Sequence, residues 1–328
     1  MKSKLKILDI THHTLLFGMV LCGLFIWLYL GQSVGELKPL EGGSVVAQIV
    51  HQWQLSHPIM GVVVTMLLLF YSALSSAIVT SRFRLYDHPS CLPMELYMVL
   101  SMGVMASDTP LLTAVVMAFI IRAQGALFSS YRSANSSRQL FEGAVLIGAL
   151  PLLYSPLTVM WIVVLAALSL FERSLREAIV VVVGLTIIPL ANMYIVWLVG
   201  GDFVAPIGDF VDLITTPSSF KLASLYQSIP RVIFLVVFIY TCVSGMLLSS
   251  LLDNTPKARR RITMVTMVFI LLCVTILLPS VTSMTIALIG VPAALLAPIA
   301  LIKLPRLLSA ILYVVILLLG LFNILVEF

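Results

Sequence analysis

Long apolar runs separated by short polar turns recur along nearly the whole chain. Between Arg138 and Leu190 there are three such runs, broken at Ser155-Pro156 and again at the charged turn ERSLRE, residues 172–177. A helix of a soluble domain shows an apolar stripe and a polar face. These runs are apolar all round and, with their flanks, long enough to cross a hydrocarbon layer of about 30 Å. In lipid every backbone N–H and C=O must be satisfied within the segment, so the pattern predicts α-helices throughout. The runs fall at approximately 15–30, 59–80, 92–107, 110–129, 139–154, 156–171, 178–199, 231–252, 262–278, 285–302 and 307–326. The expectation is an all-α, polytopic transmembrane helical bundle of about eleven spans, one integral membrane domain over residues 1–328.

Composition fixes the class. Apolar residues make up 61% of the chain and charged ones 10%, against about 25% charged in soluble domains. The positions of the charges then give a direction. With the N-terminus inside, the inner segments hold fifteen of the 19 basic residues: Lys2, Lys4, Lys6, Arg82, Arg84, Arg132, Arg138, Arg173, Arg176, Lys257, Arg259, Arg260, Arg261, Lys303 and Arg306. The outer side holds Lys38, Lys221 and Arg231, and Arg122 lies within a span. This bias predicts an N-in, C-out bundle and accounts for the net charge of +5 without a nucleic-acid partner. The first run reads as an uncleaved span, because no small-x-small site follows it. The inner turns are short and hold no Gly-rich phosphate loop, which argues against cytosolic ATP or nucleotide-sugar chemistry. The four cysteines show no metal or disulfide spacing and read as reduced apolar residues.

Two outer loops, 31–58 and 200–230, have room for a site. In the first, Glu36 and Glu41 precede a segment in which Val45, Val46, Ile49, Val50 and Trp53 recur at helical spacing opposite Gln48 and Gln52. In the second, Ile207, Phe210, Val211 and Ile214 form an apolar stripe beside Asp209 and Asp212. Both predict helices lying at the outer surface. A carboxylate there acts as a general base or holds a divalent cation against a lipid pyrophosphate, so Glu36 and Glu41 are the candidate catalytic pair. No other cofactor is evident, and no residues show metal-ligand spacing. His51, His57, Asp209, Asp212 and Arg231 are the candidate substrate contacts. The plain alternative is that such helices seal the bundle and their charges are solvated.

Inside the membrane, Glu95, Arg122 and Glu142 all fall in the inner half of their spans. An arginine bridging two carboxylates there predicts a structural clasp between three neighbouring helices, with a proton path as the alternative. Pro292 and Pro298 share one span and Pro189 interrupts another, a pattern that transporters use at substrate sites and that ordinary kinked helices also show.

The central stretch carries a resemblance. Phe141–Gly148 (FEGAVLIG), the turn Leu153–Pro156 (LYSP) and Leu175-Arg176-Glu177 followed by Gly184 and Pro189 resemble an uncharacterised family of polytopic inner-membrane proteins from Bacteroidetes, most clearly over about 122–189. The resemblance implies a bacterial inner membrane. In layout alone the chain also resembles multispan glycosyltransferases that use polyprenyl-phosphate sugars, although their adjacent acidic pair is absent, Glu36 and Glu41 being separated by four residues. The leading functional expectation is therefore a lipid-linked-sugar transferase of envelope-glycan assembly, with a polyprenyl-linked lipid as partner. A non-enzymatic subunit of an envelope complex and a transporter or lipid-moving protein stand as alternatives.

Overall fold

The structure, a computed structural model, describes residues 19–20, 23–24, 44–86, 90–104, 109–131, 136–217, 229–251 and 255–327. The expected first span lies outside them but for four residues. Among the described residues there are twelve α-helices and no strand. They are α1 (Val45–Ser56), α2 (Pro58–Phe83), α3 (Leu92–Val104), α4 (Pro110–Ser130), α5 (Ser136–Leu153), α6 (Trp161–Leu170), α7 (Leu175–Leu198), α8 (Ala205–Thr215), α9 (Ile229–Leu248), α10 (Pro256–Thr275), α11 (Ser283–Lys303) and α12 (Arg306–Glu327). A 3-10 segment, Ser155–Met160, leads into α6. By length and composition α2, α4, α7, α11 and α12 are long and apolar enough to cross a membrane, and shorter apolar helices run over Leu92–Ser101, Ser155–Leu170 and Val232–Leu248. The chain is a helical bundle of membrane type.

Local chemistry sets where the helices begin. The Ser44 hydroxyl accepts from the Ala47 N–H and caps α1, and Pro58 occupies the first turn of α2, where no N–H is needed. Ser174 and Glu177 form a reciprocal capping box on α7. Thr255 caps α10 with Pro256 at its first position. That helix therefore starts before its apolar run and carries Arg259, Arg260 and Arg261 on helical backbone.

Two helices end on left-handed residues that are not glycine. Arg84 closes α2 with φ +48° and Glu172 follows α6 with φ +53°. In each case the next N–H folds back over the last turn, Leu85 to the Thr80 carbonyl and Arg173 to the Leu168 carbonyl. This is the hydrogen-bond pattern of a Schellman stop. A Cβ in that conformation costs about 1 kcal/mol, so something else holds these residues in place.

The bundle is built around α11. Of its most apolar window, 94% is buried, against 17% for α7. In lipid the gain from association comes from close packing, which small residues permit. Gly245 of α9 lies against the Leu296 carbonyl of α11, and Gly320 of α12 lies against Val99 and Phe234. Pro292 and Pro298 sit inside α11 without ending it. At the periphery α7 packs chiefly on α5, where Gly148 meets the Leu185 carbonyl and Gly184 meets Ala144.

Specific contacts fix directions. Glu95 and Val99 of α3 meet Tyr313 and Gly320 of α12 in the same order, so these helices run parallel. The Tyr86 hydroxyl, just before α3, donates to the Leu295 carbonyl at 2.6 Å, while Gly290 faces Leu100. Between them, α11 runs the opposite way.

Candidate functional site

Charge and hydroxyl chemistry collect at opposite ends of the bundle. At one end the C-termini of α2, α4 and α6 come together, each leaving carbonyls without an intrahelical partner. Arginines fill that need. Arg261 donates to the carbonyls of Phe83 and Phe128, each at 3.2 Å, and its guanidinium lies 4.6 Å from the Phe83 ring centroid. Arg260 donates to the Leu170 carbonyl at 3.0 Å and to Glu172 at 2.6 Å. Arg173 donates to the Ser130 carbonyl and to Glu177 at 3.3 Å, and Glu177 accepts from the Ser136 hydroxyl at 2.6 Å. A cation at a helix C-terminus is also favoured by the helix dipole. Burial pushes the Arg261 guanidinium below its ordinary value, opposed by the nearby Tyr131. Glu172, held by Arg260, is one of the two left-handed residues, so the ion pair anchors that strained stop. These arginines were legible in the sequence only as positive loop charge; their role as carbonyl donors needs the helix ends brought together.

At the other end the contacts are neutral. The Tyr154 hydroxyl accepts from the Thr282 N–H at 2.9 Å and shares hydrogen bonds with Thr285 at 2.7 Å and Thr282 at 3.3 Å. This ties the turn after α5 to the start of α11. The Ser44 hydroxyl donates to the Leu152 carbonyl, bringing the start of α1 to the same turn. From there α1 packs on α2, α4 and α5, and α8 touches α7 and the 3-10 segment.

The buried face of α1 is mixed, with Val46 and Val50 packed against the core, while Gln48 and Gln52, expected opposite the apolar stripe, are exposed beside it. His51 and Gln54 are buried with Ala47, while Val45, Ile49 and Trp53 are exposed. His57, at the junction with α2, stacks on Trp53 with ring centroids 5.7 Å apart, and its Nδ1 lies 2.8 Å from the Ser56 hydroxyl. On α8, Asp209 and Asp212 are exposed, as are Ile207 and Val211 of the expected apolar stripe. The two histidines thus belong to the α1–α2 hairpin and the two aspartates to a separate helix. Arg231 falls in the first turn of α9. Glu36 and Glu41 lie outside the described residues. Among those described, no three His, Cys, Asp or Glu side chains converge into a metal-sized group, and Cys91, Cys242 and Cys273 are free thiols.

The expected three-helix clasp is corrected to two separate contacts. Arg122 pairs with Glu142 at 2.5 Å across α4 and α5, with side chains 58% and 40% exposed. Glu95 is buried elsewhere and accepts a hydrogen bond from Tyr313 of α12. Helical geometry separates them. Arg122 falls on the outward stripe of α4 with Val115, Phe119, Gly125 and Ser129, the less buried positions of an otherwise buried helix. Glu95 instead sits where α3 runs alongside α12. The helices that carry these residues were legible in the sequence; the faces they occupy were not. Sequence reasoning also passed over Tyr313, Tyr86 and Tyr154, whose hydroxyls find partners 128 to 218 residues away along the chain.

No protein-family model, curated protein or solved structure matches the chain.

Proposed function

We propose that this chain is a bacterial inner-membrane protein of about eleven spans, with its N-terminus and arginine end in the cytoplasm, that acts on a lipid-linked sugar at the opposite face during envelope-glycan assembly. One observation carries the reading. Helix α1 buries His51 and Gln54 and turns Val45, Ile49 and Trp53 outward. An outward apolar stripe on a short surface helix suits the headgroup boundary of a bilayer, with the tryptophan at the interface. That is the depth at which the sugar of a lipid-linked donor meets its isoprenoid tail.

In this reading the carboxylates just before α1 in sequence, Glu36 and Glu41, carry the chemistry. One accepts a proton from the acceptor hydroxyl, or the two hold a divalent cation on the lipid pyrophosphate. His57, Asp209, Asp212 and Arg231 are the proposed substrate contacts on the same face, while His51, buried against the bundle, holds α1 in place rather than touching substrate. The resemblance over 122–189 supports the placement in a Bacteroidetes inner membrane.

A second reading, a non-enzymatic subunit of an envelope complex, is favoured by α7. Only 17% of its apolar window is buried within the chain, so it offers a long face to a partner helix. Glu36→Gln and Glu41→Gln, expressed in a deletion strain and scored for membrane abundance and envelope glycan, separate the two. The enzyme reading expects normal abundance with glycan lost, because glutamine keeps the shape but neither takes a proton nor holds a cation well. Normal glycan from both variants overturns it.

A further inference from the structure

Of the three consecutive arginines on α10, two are committed to the protein and one is not. Arg260 and Arg261 bind carbonyls and Glu172. Arg259 is exposed, and its guanidinium has no hydrogen-bond or ion-pair partner among the described residues. It opens instead onto a groove of roughly 330 Å³ between α10 and the end of α9. On the α10 side the lining residues are Arg259, Ile262, Thr263 and Thr266, the i, i+3, i+4, i+7 positions of one helical face. Across from them stand Met246, Ser249 and Ser250. Among the described lining residues none is acidic, and Arg259 is the charged one.

The hydroxyls there are satisfied by their own helices. Ser249 donates to the Met246 carbonyl at 2.6 Å, Ser250 to Leu247 at 3.0 Å and Thr263 to Arg259 at 3.0 Å. The polar wall therefore needs no ligand to be stable, and its oxygens remain free to turn toward one. The groove also has a direction. Thr266 lies about 10 Å along the helix axis from Arg259, and the same faces continue as exposed Ile270 on α10 and Val243 on α9. A cation at the bundle end, hydroxyls behind it and an exposed apolar seam beyond match the order of groups in a phospholipid.

We infer that this groove binds the headgroup of an anionic phospholipid, with the phosphate on Arg259 and an acyl chain along Ile262, Met246 and Ile270. The inference is independent of the chemistry proposed for the opposite face and depends only on the bundle lying in a membrane. A soluble phosphate would use the same arginine but not the apolar seam.

The test uses the purified full chain in detergent and measures retained lipid by native mass spectrometry after addition of phosphatidylglycerol or phosphatidylcholine. The wild type is expected to favour phosphatidylglycerol by roughly fivefold, the worth of one basic residue at an anionic surface. Arg259→Gln is expected to bring the two lipids to parity, and Arg138→Gln, an exposed arginine outside the groove, to keep the preference. Thr266→Phe fills the groove without removing charge and is expected to lower retention of phosphatidylglycerol, so the inference stays testable if Arg259→Gln folds poorly. An unchanged preference in Arg259→Gln, or full retention in Thr266→Phe, overturns it. Displacement of the lipid by millimolar inorganic phosphate also overturns the assignment and makes the groove a site for a soluble anion.

Discussion

The two ends of this bundle solve the same problem in different ways. At both, helices stop and turn, leaving carbonyls and N–H groups to be satisfied. The arginine end does it with guanidinium groups, Arg173, Arg260 and Arg261, laid across the C-termini of α4, α6 and α2. The Tyr154 end does it with uncharged hydroxyls and a surface helix. A charged donor makes a hydrogen bond roughly twice as strong as a neutral one, and its long side chain reaches between helices that a hydroxyl must touch directly. The difference teaches that the basic residues of this chain have a structural role beside the topological one their distribution predicts. The charges whose bias predicts the orientation of the bundle also fasten its helix ends.

The comparison makes graded predictions. Arg261→Ala should have the largest effect. It removes two charge-assisted hydrogen bonds and an aromatic contact from three elements at once, a loss of about 2–4 kcal/mol, read as a lower midpoint of thermal unfolding in detergent. Arg261→Lys should recover less than half, since an ammonium lacks the planar fork. A full rescue by lysine would mean that charge alone matters there. Tyr154→Phe should cost less, about 1 kcal/mol, by unpairing the Thr282 N–H at the hydroxyl end. If it costs as much as Arg261→Ala, the two ends do not differ in the way described.

Glu172→Gly should have the smallest effect. It loses a solvent-screened ion pair whose partners are 33% and 71% exposed, a contact of little worth, and it relieves a left-handed Cβ. The unfolding midpoint should stay within a degree or two of wild type, about 0.5 kcal/mol either way. A large drop would show that the Arg260–Glu172 pair contributes more than its exposure suggests.

Much of the bundle was legible in the sequence because lipid imposes so strong a constraint. The runs read at 59–80, 110–129, 285–302 and 307–326 appear as α2, α4, α11 and α12 with ends displaced by only a few residues. Where the reading missed, hydropathy had marked the apolar layer rather than the helix. Helix α10 starts at Pro256 because Thr255 and Pro256 form its first turn, although its arginines are polar. The run at 156–171 divides because Ser155–Met160 coils as a 3-10 segment before α6.

Neighbours were harder to read than spans. Helices α7 and α11 both qualify as membrane-crossing, yet one is 17% and the other 94% buried. What separates them in sequence is small residues: Ala287, Gly290, Ala293, Ala294, Ala297 and Ala300 let other helices close around α11, while β-branched residues, Ile179 to Val183 and then Ile187 and Ile188, fill much of the first half of α7. For the candidate site, the helix α1 and the exposure of Val45, Ile49 and Trp53 were legible, but the inward packing of Val46 and Val50 and the burial of His51 and Gln54 were not, since they depend on α2, α4 and α5.

The central claim is that these two ends are opposite surfaces of one membrane, with the arginines in the cytoplasm. It is tested most directly by single cysteines in a full-length chain whose four native cysteines are replaced by alanine. Ser56→Cys, exposed on α1, should react with a membrane-impermeant maleimide in spheroplasts with an intact inner membrane. Lys257→Cys, exposed at the start of α10, should react only after that membrane is opened. Labelling of Lys257→Cys in intact spheroplasts with Ser56→Cys protected, or labelling of both from the same side, would contradict the account.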